Sequence, residues 1–182
     1  PELMCHGVKD ENELRALLDK ADAIAVGPGL GTDKWARVMV NAATAVKTPV
    51  VVDADALNLM VGSKVRKGNW VLTPHPGEAA RLLSRLTGER WDTARVQSDR
   101  IGATRHVATL CRAVAVLKGE ATVVAQAGAR TAICVTGGPA LATAGSATKL
   151  ERARDLGADH LVNHSDVGWV KEVRQLTNKR GV

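Results

Sequence analysis

Four short apolar runs recur along the first two thirds of the chain, separated by segments of helical spacing. Ala23-Ile24-Ala25-Val26, Pro49-Val50-Val51-Val52, Trp70-Val71-Leu72 and Ala113-Val114-Ala115-Val116-Leu117 have strand length and no polar alternation. That pattern predicts buried strands of a parallel sheet. Between them, Leu14, Leu17 and Leu18 predict an amphipathic helix over 13–21. Thr32 or Asp33 can cap a helix over 34–46, a short helix is predicted over 56–60, and Pro76-Gly77-Glu78 opens one carrying Ala79, Leu82 and Leu83. A longer helix is predicted over 91–110, weakened by Gly102. Segments 122–125 and 131–135 then flank Gly128-Ala129-Arg130, a hairpin signal. Strand–helix alternation followed by a hairpin predicts an α/β fold: a three-layer domain with a mostly parallel sheet and an antiparallel edge.

The pattern changes at Ala142-Thr143-Ala144-Gly145-Ser146. Beyond it Leu150, Ala153 and Leu156 make one helical stripe that Gly157 can cap. His160-Leu161-Val162-Asn163 reads as a short strand, and Val167, Val170, Val173 and Leu176 as a further helix. One βα-like unit is too small to fold alone. If its stripes belong to a different sheet, they pack poorly here and favour mobility or a homo-oligomer.

With 182 residues and 45% hydrophobic residues, the chain has material for one sizeable core. Phe and Tyr are absent, so that core is aliphatic apart from Trp35, Trp70, Trp91 and Trp169. The same absence speaks against a base-stacking nucleic-acid surface. The net charge of +6 is spread along the chain without a nucleic-acid motif, and a small anion such as a nucleotide accounts for a few well-placed cations. Cys5, Cys111 and Cys134 lie far apart with no CxxC pair, as reduced thiols of a cytoplasmic protein do. No membrane span or signal-peptide pattern is present, and the sequence opens at Pro1 as if cut from something longer.

Ligands of such sheets sit at the carboxyl ends of the strands, and the loops 27–31, 53–58, 73–78 and 118–122 all fall there. Gly27-Pro28-Gly29-Leu30-Gly31 suits an anion or is simply a tight βα turn. Lys118-Gly119-Glu120-Ala121-Thr122 sets an ammonium and a hydroxyl around a glycine, which suits polyphosphate and equally a hairpin entry. Asp53 and Asp55 can hold Mg²⁺ through water, or cap a helix. Glu78 can assist a metal–phosphate contact or serve the helix dipole. His75, between two prolines, is as consistent with structure as with function. His160 and His164 lack a third ligand.

Taken in order, GPGLGTD (27–33), VVVDADALN (50–58), LTPHPGEAARLL (72–83), VLKGEAT (116–122) and TGGPALATAGS (136–146) resemble the bacterial ADP-dependent NAD(P)H-hydrate dehydratase family. That family is a repair branch of the ribokinase-like fold, and the resemblance covers about 22–146. It implies an incomplete ribokinase-like domain over 1–146, taking hydrated NADH or NADPH and ADP (or ATP) with Mg²⁺. Phosphoryl transfer to the hydrate hydroxyl would make a good leaving group, which the dihydropyridine nitrogen helps expel. By resemblance Gly29, Gly31 and His75 contact the hydrated dinucleotide, and Asp53, Asp55 and Asn58 line its rim. Lys118, Gly119, Glu120, Ala121 and Thr122 cradle the nucleotide phosphates with Gly145 and Ser146, and Glu78 helps organise metal and phosphate.

The departures are an N-terminal portion expected before Pro1 and the close of the site. The family ends Gly-Ser-Gly-Asp, with the Asp as base; here Gly145 and Ser146 are followed by Ala147 and Thr148, which has no carboxylate. The expectation is a lyase by family and a strongly impaired chain. An inert nucleotide-binding fragment is the alternative. From Ala142 the stretches 142–164 and 170–182 resemble the medium-chain, zinc-free quinone reductase family instead. In that family Ser146 and Lys149 would sit near the 2′-phosphate of NADPH, so the resemblance implies a Rossmann-derived βα tail over 147–182. A reductase fragment is the third reading.

Overall fold

Aspartates set where several helices begin, because a carboxylate at the N-cap satisfies backbone N–H groups that have no partner in the first turn. Asp10 accepts from the N–H groups of Asn12 and Glu13, which starts α1 (Glu11–Leu18) two residues ahead of the spacing-based expectation. Asp33 accepts from Ala36 N–H and opens α2 (Lys34–Ala45). Asp92 and Asp99 act the same way in the next region, and the single helix expected over 91–110 is in fact two: α5 (Thr93–Ser98) and α6 (Arg100–Cys111). The break falls at Asp99, whose backbone leaves the helical region (φ −141°, ψ 73°) while its carboxylate takes the N–H of Gly102 at 2.8 Å. Asp99→Ala is expected to cost about 1 kcal/mol and to lower the thermal midpoint by roughly 2–4 °C. An unchanged midpoint would show that the cap does not hold the break.

The computed structural model describes residues 4–60, 68–134, 141–155 and 158–176. Val135 of the expected hairpin strand, residues 136–140 of the last motif, Leu156 with Gly157 of the tail stripe, and 177–182 of the tail lie outside them. Two helices remain to be placed in the first unit, α3 (Ala54–Met60) and α4 (Pro76–Thr87). A six-stranded sheet runs in the order β1 (Ile24–Val26), β2 (Val50–Val52), β3 (Trp70–Leu72), β4 (Val114–Leu117), β5 (Thr122–Ala125), β6 (Ala132–Cys134). The first four strands are parallel, with Val26, Val52 and Leu72 in one register row, and β4–β5–β6 are antiparallel. This is the mostly parallel α/β sheet with an antiparallel part.

Sequential parallel strands joined by right-handed crossovers carry their connecting helices on one face. Burial follows that rule. Val50, Val52, Trp70, Leu72, Ala115 and Leu117 are buried against Ala79, Leu83, Val96 and Val107 in one core. On the opposite face Val51 is 37% exposed and Val71 is half-buried, so the continuous apolar runs are fully covered on one side only among the described residues.

A second, two-stranded sheet pairs β7 (Leu141–Ala144) with β8 (His160–Asn163) in parallel. Helix α7 (Ala147–Asp155) connects them and α8 (Trp169–Leu176) follows. The chain therefore forms a βαβ unit that straddles the 146/147 boundary expected from the sequence, with β7 on its near side. Val162 and Val173 are buried there, apart from the main core cluster. Val170 is 46% exposed, and Val167 lies outside α8 because the helix starts only after Gly168.

Candidate functional site

Each parallel strand ends on the same rim, and each end delivers one element of a polar cluster. After β1, Gly27, Gly29 and Gly31 take positive φ (132°, 68° and 76°), which bends the loop back over the end of β2. A Cβ on Gly27 would stand 1.8 Å from the carbonyl oxygen of Asp53, so only glycine permits that approach. The N–H of Gly31 then reaches Asp55 Oδ2 at 2.9 Å, joining the first two loops.

After β2, Asp53 turns its carboxylate across the rim to the ammonium of Lys118, at 2.5 Å, which arrives from the end of β4. Burial alone would raise the Asp53 carboxyl. The Lys118 charge and hydrogen bond, with the Thr73 hydroxyl and Ala54 N–H, outweigh it and hold the group below its usual range. Ala54, between the two aspartates, is itself at φ 48°, a conformation non-glycine residues rarely keep outside functional turns. Lys118 is fixed at its other end by its N–H to Pro74 O, 2.9 Å.

After β3, His75 is the N-cap of α4. Its Nδ1 accepts from the N–H groups of Gly77 (3.0 Å) and Glu78 (3.4 Å), while Glu78 Oε2 accepts from the His75 N–H at 2.9 Å. Because Nδ1 is an acceptor, the hydrogen-bond network assigns the proton to Nε2. Burial, then the charges of Arg81 and Lys118, lower the imidazole to about 4 against the opposing influence of Asp53. His75 is therefore a neutral donor at physiological pH. Folding stability should then be flat above about 6.5 and decline as pH falls toward about 4, since only the unfolded chain takes the proton in that window. His75→Asn, which keeps a cap acceptor, should reduce that decline in urea titrations. An identical pH dependence in the variant would contradict the assignment.

Glu78 is only 7% exposed, and burial raises its carboxyl despite the His75 N–H. Its Oε2 serves the capping box and its Oε1 lies 3.4 Å from His75 Nε2, so its carboxylate is engaged within α4's cap. Among the described residues no three His, Cys, Asp or Glu gather to hold a metal. The residues present thus do not form a protein cage for Mg²⁺.

Gly119, Glu120 and Ala121 form the turn from Lys118 into β5, with Thr122 Oγ bonding back to Gly119 O at 2.9 Å. Asn58 sits one turn into α3 and accepts from Arg81 Nε at 3.1 Å. Gly145 and Ser146 instead close β7 in the two-stranded sheet, where a Cβ on Gly145 would meet His164 Nε2 and Ser165 Oγ. Thr148 and Lys149 are exposed in the first turn of α7. Two residues join the site that the motifs do not single out: Arg81, whose charge bears on His75, and Arg100, which grips the Lys118 turn. Arg81 lay three positions after Glu78 on the helix the motif opens, which was the available signal; Arg100 had none.

Residues 1–148 match the family described as NAD(P)H-hydrate dehydratase. The bifunctional NAD(P)H-hydrate repair enzyme Nnr of Coxiella burnetii is 40% identical over 145 residues, 80% of this chain and 28% of that protein. The Escherichia coli enzyme of the same name is 40% identical over 125 residues, 69% of this chain and 23% of its own. The chain thus spans less than a third of the length of these relatives. Among solved structures, the ADP/ATP-dependent NAD(P)H-hydrate dehydratase from Bacillus subtilis, co-crystallized with ATP/Mg²⁺, is 32% identical with a TM-score of 0.50, covering 64% of this chain and 39% of that one. A hypothetical protein from Streptococcus mutans is similar at 25% identity and a TM-score of 0.55, covering 71% of this chain and 46% of its own.

Proposed function

The chain belongs to the NAD(P)H-hydrate dehydratase family, and on that premise we propose that its six-stranded rim serves ADP-dependent dehydration of hydrated NADH or NADPH. The observation that carries this reading is the convergence of four strand-end loops, with Lys118 and Asp53 paired across them. Lys118 and the turn through Thr122 are suited to the phosphates of ADP (or ATP). On the other side, Gly29, Gly31, Asp55, Asn58 and His75 offer a hydrogen-bonding edge to the hydrated dinucleotide. Mg²⁺, present with ATP in the Bacillus subtilis crystal, would arrive on the nucleotide's own phosphates, since these residues form no cage for it.

By resemblance the family's base falls at position 148, which here is Thr148 on α7, so the rim lacks that carboxylate. A threonine hydroxyl cannot take a proton at neutral pH, and a positioned general base is worth ~10²–10⁴-fold in rate. Binding without efficient turnover is the consequence, and an inert nucleotide-binding unit is its limit. The family match ends at residue 148, taking in β7 and the start of α7 but not β8 or α8, and we infer that the βαβ unit around 141–176 is a separate Rossmann-like piece rather than part of the rim. Incubating the chain with hydrated NADH, ADP and Mg²⁺ while following the return of NADH absorbance tests the proposal. Slow, ADP-dependent recovery is expected. Turnover at ordinary enzymatic rates, ~1–10³ s⁻¹, would refute the impairment. NADPH oxidation with a quinone acceptor would favour the reductase reading of the tail.

A further inference from the structure

We infer that Arg100 is a positioning residue for the Lys118 turn, holding its backbone so that its N–H groups face the rim; this rests on the reading of that turn as the nucleotide site. The turn from β4 to β5 is unusual in its backbone. Gly119 is at φ 133°, which glycine adopts freely, and Ala121 is at φ 54°, which is unfavourable for an L residue.

Arg100 stands at the first position of α6, immediately after the Asp99 cap, and its guanidinium reaches into the turn. Nη2 donates to Lys118 O at 3.2 Å and to Leu117 O at 3.4 Å, and Nη1 donates to Gln97 Oε1 at 2.7 Å. The guanidinium sits close to Gly119, with Nη2, Nη1 and Cζ 3.1–3.5 Å from where a Cβ would stand. Its Nε is buried without a hydrogen-bond partner, a cost accepted only where the rest of the group is held in place. Asp159, just before β8, acts on the same guanidinium and supports its charge against burial.

Peptide geometry gives the consequence. In a trans peptide the N–H points opposite its C=O. Two carbonyls drawn to Arg100 therefore send the N–H groups of Lys118 and Gly119 to the other side of the turn. Lys118 N–H already meets Pro74 O there, at the end of β3. Gly119 N–H is left on that same side as a donor for a phosphate oxygen. Arg100 touches no ligand in this arrangement, because its Nη donors face the backbone and Gln97 and its Nε is buried. A lysine has no planar fork and can replace only part of that grip.

The test compares Arg100→Gln, Arg100→Lys and Gln97→Ala with the unaltered chain, by hydrogen exchange and by ADP calorimetry. Arg100→Gln is expected to speed exchange about tenfold in peptides covering 117–121, leaving β2 and α4 unchanged, as a local opening does. It should also weaken ADP binding about tenfold, because a turn the arginine no longer holds must be ordered at binding. Arg100→Lys should fall between, and Gln97→Ala should show a smaller change of the same kind. Those two variants carry the test if Arg100→Gln does not fold. Unchanged exchange at 117–121 would overturn the proposal, as would a rise spread evenly over the chain, which marks a merely structural residue. If the unaltered chain binds no ADP, the nucleotide reading fails by itself, and the exchange data still decide whether Arg100 orders the turn.

Discussion

Replacing Lys118 by alanine is expected to weaken ADP binding by roughly 10–100-fold, the equivalent of one charge-assisted contact of ~1.5–3 kcal/mol. The ammonium is the cation that the end of β4 supplies directly to the rim, and Arg100 behind it is occupied with backbone carbonyls. Stability should change much less. Both partners of the Asp53–Lys118 pair are part-exposed, and such pairs contribute ~1 kcal/mol or below. The direction with pH is specific, however. Asp53 is held below its usual range, so it contributes stability above its unfolded value of 3.8, lost as pH falls through the folded one. Without Lys118 the burial of Asp53 is unopposed by its main partner, its carboxyl rises, and that contribution shrinks. Calorimetry and urea unfolding of the variant separate the two effects. Undiminished ADP affinity would remove Lys118 from the site.

Gly27→Ala should be the most destabilising single change on the rim. Its Cβ would lie 1.8 Å from Asp53 O, 2.8 Å from Asp53 C and 3.0 Å from Ala56 Cβ, and φ 132° is itself unfavourable for an L residue. Backbone on both sides of the contact must move, since no flexible side chain is there to yield. A loss of about 3 kcal/mol or more is expected, which lowers the thermal midpoint by roughly 6–12 °C for a chain of this size. Gly29→Ala is the matched control. Gly29 also has positive φ (68°), but nothing lies within 4 Å of its missing Cβ, so only conformational strain of ~1–2 kcal/mol applies. Thermal melts of the two variants should differ clearly. Equal losses would mean that the loop does not pack on Asp53 as described.

The strands were legible because Val50-Val51-Val52 and its counterparts have no other use for so many β-branched residues in a short run. The rim followed from them, since glycines and acids just after a parallel strand fall at its carboxyl end. Helix boundaries were less legible where a capping side chain competed with the periodic pattern. Asp99 interrupts an otherwise continuous helical stretch because its carboxylate and the N–H of Gly102 find each other, and apolar spacing does not record that. Contacts between distant long side chains were not legible at all. Arg100 and Leu117 are seventeen positions apart and meet only once α6 packs beside β4. The change of pattern at 142–146 was visible, but not the side on which it falls. Leu141–Ala144 pairs with His160–Asn163, so the strand before the seam belongs to the unit after it.

The separation of rim and tail also bears on which part of the chain meets nucleotide. Gly145 and Ser146 lie at the end of β7, while Lys118 and Asp53 lie on the six-stranded rim. Amide chemical-shift mapping by NMR, with ADP titrated into the isotope-labelled chain, distinguishes the two most directly. The expected result is saturable shifts centred on Lys118, Gly119, Glu120, Ala121 and Thr122, extending to Asp53 and Gly31. Shifts confined to Gly145, Ser146 and the first turn of α7, with the Lys118 turn silent, would contradict the account.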